Sequence, residues 1–140
     1  MYYRPDRRRV LVGRGYPKDY EYVNPDSYSE DVRFEFIEDV AHRLVSRIPD
    51  YSNALVEQAY TGLYDITPDW HPVLGKTTVE GFYLAAGFSA HGFKLAPAIA
   101  ELLAEEIVEG TAKSIDIGPF GLDRFEKGTL FRAAYGGNRA

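Results

Sequence analysis

The stretch from Phe82 to Lys94 constrains this chain more than any other. Phe82-Tyr83-Leu84-Ala85-Ala86 is an unbroken apolar run, the pattern of a strand covered on both faces. It breaks into Gly87-Phe88-Ser89-Ala90-His91-Gly92, and a helix is expected from about residue 94 to 109. Leu95, Ile99, Leu102, Leu103 and Ile107 form its inner face, and Gly110 supplies the C-cap. Pro97 then falls in the first turn, where no intrahelical donor is needed. Such a strand–turn–helix leaves open amides and the positive end of the helix dipole facing outward. Gly87 and Gly92 let the backbone lie against a flat or anionic ligand with no Cβ in the way. Lys94 adds a full charge in the first turn, where a cation opposes the dipole by roughly 0.3–1 kcal/mol. Either it holds a carboxylate or an electron-rich ring against the helix start, or it points sideways into solvent.

The remainder of the chain reads as smaller elements. Val10-Leu11-Val12-Gly13 is a short strand stopped by glycine. Residues 14–30, rich in Gly, Pro, Asp, Asn and Ser, form an irregular loop in which Ser27 and Glu30 make a weak capping box. Ile37, Val40, Ala41, Leu44, Val45 and Ile48 recur at helical spacing, giving an amphipathic helix over about residues 31–48 that Pro49 terminates. His42 lies in it with no second ligand spaced to share a metal, so it is a surface or boundary residue. Ala54 to Tyr64 alternates roughly as a strand, and Gly62 marks a bulge or a close approach. Asp65 to Pro72 is a two-proline loop, Gly75 to Gly81 a connecting turn, and Ser114 to Ile117 a short strand in the tail.

Composition narrows the functional classes. At 140 residues, with 45% apolar and 26% charged side chains, the chain fits one domain and no disordered tail. The net charge of −5 argues against a nucleic-acid partner. Arg7-Arg8-Arg9 reads either as a basic arm or as a solvated turn before the strand. No apolar run reaches the ~18 residues of a membrane span, and the start lacks a signal-peptide core, so a cytoplasmic address is expected. The absence of cysteine excludes a thiol nucleophile, a zinc-thiolate site and a cysteinyl cofactor link. Gly87-Phe88-Ser89-Ala90-His91 sits where a hydrolase nucleophile elbow would sit, but His91 replaces the second glycine and would crowd the sharp turn. A hydrolase is disfavoured.

Three blocks carry a family resemblance. They are Tyr3-Arg4-Pro5 with Val10-Leu11-Val12-Gly13, then Gly62-Leu63-Tyr64-Asp65-Ile66-Thr67-Pro68-Asp69-Trp70-His71-Pro72-Val73-Leu74-Gly75, and finally Gly87 to Pro97. Taken in order over about residues 2–110, they resemble the C-terminal part of the FAD-dependent amine oxidoreductases of the D-amino-acid oxidase superfamily. The sarcosine oxidase, glycine oxidase and proline dehydrogenase group is the most similar. The resemblance implies that Gly87, Phe88, Ser89, Ala90, His91, Gly92, Phe93 and Lys94 lie along the pyrimidine edge of FAD. It implies that Lys94 binds a substrate carboxylate and that Tyr64, on the strand passing the ring, belongs to the site. Thr67, Pro68 and Asp69 are expected to serve mainly as a structural turn, and His91 to form the turn more than to act in catalysis. The implied reaction is oxidation of an amino acid or N-methyl amino acid by hydride transfer to flavin.

Two departures bear on that reading. Gly62 matches the position where some monomeric sarcosine oxidases carry a flavin-linking cysteine, so that bond cannot form. The G-x-G-x-x-G turn that holds a dinucleotide pyrophosphate is absent, since Gly13-Arg14-Gly15 runs into Tyr16-Pro17-Lys18. FAD is therefore expected only if an N-terminal Rossmann half completes the chain, which then reads as a truncated piece, a split-gene product or a remnant. The expected fold is α+β: antiparallel substrate-sheet strands with a helix (1–75), then a strand–turn–helix remnant of the FAD-binding domain (76–140). No metal site is expected. A partner chain or self-association is expected to cover the open sheet edge. The alternative reading is a non-catalytic, oligomeric interaction module that keeps the fold without the cofactor.

Overall fold

A computed structural model describes residues 1–14 and 21–132. The part of the expected tyrosine-studded loop at 15–20 lies outside them. The chain forms two compact units, Met1–Leu63 and the residues from Tyr64 onward, built from the α+β mixture the sequence implies.

In the first unit, β1 (Tyr2–Asp6) pairs antiparallel with β2 (Arg9–Gly13), Tyr2 opposite Gly13 and Asp6 opposite Arg9. Arg7 and Arg8 form the exposed turn between them, with Arg7 at φ 54°. The arginine run is thus a solvated hairpin turn. Helix α1 (Phe34–Arg47) buries Val40 and Leu44, and Pro49 opens a single 3-10 turn after it. It starts three residues later than the expected 31 because its entrance is not capped by Ser27. Ser27 donates its amide to Asn24, Asn24 accepts from Asp26, and Ser29 accepts from Asp31. These local side-chain turns compete with the helix for the same backbone groups. Arg14 joins the two elements: its guanidinium lies 5.4 Å from the Phe36 ring centroid and 3.4 Å from Asp39.

The strand expected over 54–64 is not formed. A strand exists by pairing its backbone, and these residues find no ladder among the described residues, leaving Leu55 94% exposed.

In the second unit, β3 (Val73–Lys76) and β4 (Tyr83–Ala86) make an antiparallel hairpin, Val73 opposite Ala86 and Lys76 opposite Tyr83. Gly75 therefore belongs to a strand, and the turn is 77–82, closed by the Thr77 amide donating to the Phe82 carbonyl at 2.9 Å. Leu74, Leu102, Ala112 and Ile117 form the core, flanked by Phe88, Ile99, Leu103 and Phe120. β4 is not covered on both faces as its composition suggested. The described sheet has two strands, and Ala85 and Ala86 stand exposed.

Helix α2 (Gly92–Glu109) begins two residues early, which moves Pro97 past the first turn and removes the donor the Phe93 carbonyl would receive. Phe93 is fully exposed, which leaves its surroundings open to solvent. Leu102 is buried, but Ile107, expected on the inner face, is 54% exposed. Gly110 ends α2 at φ 81°, and a Cβ there would meet no atom within 4 Å. Gly110→Ala therefore isolates the left-handed backbone penalty, and circular-dichroism melting should register a loss of about 1 kcal/mol.

The tail strand expected at 114–117 is replaced by a carboxylate clamp. Glu105 accepts the amides of Lys113 and Ser114 at 2.7 and 2.9 Å and the Ser114 hydroxyl, so these donors are already engaged. Those bonds, the Ser114 hydroxyl first, hold the Glu105 carboxyl below its usual range. A 3-10 turn (Gly118–Phe120) and the short helix α3 (Arg124–Lys127) close the described chain.

Candidate functional site

The turn between β4 and α2 is held from beneath by the loop that precedes β3. Ser89 donates its amide to the Asp65 carbonyl at 3.2 Å, and Phe88 donates its amide to Asp65 Oδ2 at 3.2 Å. The Ser89 hydroxyl accepts the Thr67 amide at 3.2 Å and donates toward the Gly87 carbonyl at 3.3 Å. Gly87 stands at φ 67°, and a Cβ there would lie 2.4 Å from the Thr67 methyl carbon. Glycine is thus required twice, by conformation and by this close approach. Ser89 and Ala90 also take left-handed φ values of 49° and 70°, an uncommon conformation for residues with a Cβ.

These constraints aim the turn outward. The amides of Ala90, Gly92, Phe93 and Lys94 have no acceptor among the described residues. Leu95 is the first amide to bond back, to the His91 carbonyl at 3.3 Å. Ala90, Phe93 and Lys94 are exposed, Gly92 and His91 half-buried, and Lys94 makes no ion pair among the described residues. A row of open donors at a positive helix end beside an unneutralised ammonium is a site for negative charge. Phe88 and Ser89 are withdrawn, and Phe88 packs against the core instead of facing a ligand. The Ser89 side chain is fully buried and its hydroxyl is spent on Thr67 and Gly87, so it shapes the turn from below.

Tyr64 does not lie on a strand. It sits on the extended segment that leads into Asp65, with its side chain 62% exposed. A cavity of about 300 Å³ lies elsewhere, between Leu74, Lys76, Glu106, Asp116, Ile117 and Asp123, and no residue from 87 to 94 lines it. Among the described residues, no three His, Asp or Glu side chains group to hold a metal, and no helix is long and apolar enough to cross a membrane.

Sequence reasoning missed the group that anchors this loop. Asp69 and Arg124 form a bidentate ion pair with Nε–Oδ2 at 2.8 Å and Nη2–Oδ1 at 3.0 Å, their side chains 1% and 2% exposed. Arg124 spends its other donors on the carbonyls of Phe120, Gly121 and His71 at 2.8, 3.2 and 2.7 Å. All its hydrogen-bonding capacity is met inside the protein. Burial pushes the Asp69 carboxyl up, and the Arg124 guanidinium with the His71 amide more than reverses this, holding it well below the carboxylate range. The available signal was the expected turn itself: an aspartate buried there demands a cation. Phe131 stacks on His71 and Phe120 at 4.4 and 4.7 Å between centroids, packing the tail over the pair.

Comparisons with known proteins identify the family. Residues 1–106 match the DAO family, described as FAD dependent oxidoreductase. The chain is 37% identical over 125 residues to FAD-dependent oxidoreductase domain-containing protein 1 of Bos taurus, covering 84% of this chain and 26% of that protein. It is 31% identical over 105 residues to sarcosine oxidase subunit beta of Arthrobacter sp, covering 75% and 26%. Among solved structures, L-proline dehydrogenase from P. horikoshii superposes with a TM-score of 0.68 at 35% identity, covering 75% of this chain and 28% of that one. The chain spans about a quarter of the length of these relatives. Matched to the family over residues 1–106, the chain belongs to the DAO family of FAD-dependent oxidoreductases.

Proposed function

We propose that this chain is the substrate-side, C-terminal portion of an oxidoreductase acting on an amino acid or N-methyl amino acid, completed by an FAD-binding half. The observation that carries the reading is the row of open amides at Ala90, Gly92, Phe93 and Lys94. The residues present fit a flavin edge, because the open amides at the helix start favour negative charge there. When bound, FAD supplies the hydride acceptor for the C–H beside the substrate nitrogen. The backbone of Gly87 to Lys94 would hold the ring, and the exposed Lys94 ammonium would pair with the substrate carboxylate. Tyr64 is assigned to the same site as a residue bordering substrate. The unpaired side of β4 and the exposed Phe93, at 100%, would be covered by the FAD-binding half.

Ile107 and Val108, 54% and 82% exposed at the far end of α2, favour a second reading as a non-catalytic interaction module that self-associates. Mixing the chain with the separately produced FAD-binding half of a sarcosine oxidase subunit beta separates the two. Recovery of a stoichiometric yellow complex that oxidises an amino acid supports the oxidoreductase. A colourless oligomer that ignores both FAD and that half supports the module.

A further inference from the structure

We propose that Asp69 and Arg124 are positioning residues for the Gly87–Lys94 turn, acting on it through the hydroxyl of Thr67. Arg124 lies beyond the residues matched to the family, in the tail, yet its guanidinium fixes both oxygens of Asp69. Asp69 Oδ1 in turn faces the Thr67 hydroxyl at 3.2 Å, and that hydroxyl donates to the His71 carbonyl at 2.8 Å, a carbonyl Arg124 also holds. Thr67 then meets the turn at three points. Its amide donates to Ser89 Oγ at 3.2 Å, its hydroxyl lies 3.4 Å from the same oxygen, and its methyl sits under Gly87. The left-handed pair Ser89 and Ala90 is the part of the turn that needs an external hold. Arg124 bonds Asp69 and the His71 carbonyl, the Thr67 hydroxyl donates to that carbonyl, and the Thr67 amide donates to Ser89. The series is thus buried and made of directional bonds, so a change at the tail reaches the open amides without touching them. Its relevance to flavin rests on the function proposed above, but the coupling itself does not.

The test is amide hydrogen exchange, read residue by residue in the whole chain. Thr67→Val removes the hydroxyl and keeps a methyl; Thr67→Ser keeps the hydroxyl; Arg124→Lys keeps the charge and loses the fork. Thr67→Val and Arg124→Lys should each lower the protection of the Ser89 amide at least tenfold while Leu102 and Leu103 in α2 keep theirs, and Thr67→Ser should restore it. Ser89 protection that is unchanged, or that falls only in step with α2, would overturn the coupling, since a purely structural pair loosens the unit uniformly. FAD titrated into the same variants, each combined with the FAD-binding half, supplies the second arm. Selective opening of Ser89 with no change in the FAD-induced shifts of Gly92 and Lys94 would leave the coupling standing and overturn the flavin assignment of the turn.

Discussion

Arg124→Met lowers the stability of the unit beginning at Tyr64 by about 3–5 kcal/mol, the cost of leaving a buried carboxylate without its cation. Three carbonyls, those of Phe120, Gly121 and His71, lose their donor in the same step. For a unit whose core consists of Leu74, Leu102, Ala112 and Ile117, a loss of that size is a large share of the total. Urea unfolding at neutral pH measures it. Asp69→Val combined with Arg124→Met should recover part of the loss, because no charge is then left buried. The effect also has a signature in acid. The folded-state carboxyl of Asp69 titrates below its unfolded value of about 3.9, so the unfolded chain takes up the proton first as pH falls. The contribution of the pair is therefore complete above that value and disappears below it. In Arg124→Met the burial remains without the cation and pushes the carboxyl the other way. The stability gap between wild type and variant should narrow between about pH 5 and pH 2. A constant gap over that range would show that the pair contributes no linkage.

Lys94→Ala, made in the chain completed by its FAD-binding half, should weaken binding of an amino-acid substrate by ten- to a hundredfold, the loss of a charge-assisted contact of roughly 1.5–3 kcal/mol. Flavin content should stay nearly unchanged, since the backbone donors of Ala90, Gly92 and Phe93 do not depend on that side chain. The fold should be indifferent as well. Lys94 is exposed, has no ion-pair partner among the described residues and opposes the helix dipole, so its removal is neutral or slightly stabilising. Steady-state kinetics with a carboxylate substrate and with the corresponding amine lacking the carboxylate separate the roles. The variant should lose discrimination between the two, and equal turnover of the amino acid by both forms would end the assignment.

The elements legible in the sequence are those whose information is local. Strand β2, α1 and α2 follow from a short β-branched run, apolar spacing and glycine or proline punctuation. The Gly87–Lys94 turn was legible for the same reason, since Gly87 and Gly92 bracket it and an apolar strand leads in. Strands that depend on a distant partner were not. Residues 54–64 have the composition of a strand and no ladder to join, while Gly75, read as a turn residue, pairs with Leu84. Ser114 to Ile117 reads as β-branched, but Glu105 captures the amides first. The Asp69–Arg124 pair bridges positions 55 residues apart, so no periodicity announces it. The burial of Ser89 is equally invisible to spacing, because it depends on Thr67 arriving from another loop.

The central claim is that the open amides after β4 receive the flavin. Titration of FAD into the nitrogen-15-labelled chain combined with a separately produced FAD-binding half, with ADP-ribose as the control, tests it at each backbone position. The account predicts that the Ala90, Gly92, Phe93 and Lys94 amide resonances move with FAD and not with ADP-ribose, whose chemistry lacks the ring. Shifts confined to the cavity around Glu106, Asp116 and Asp123, or no shift at any of those four amides, would contradict it.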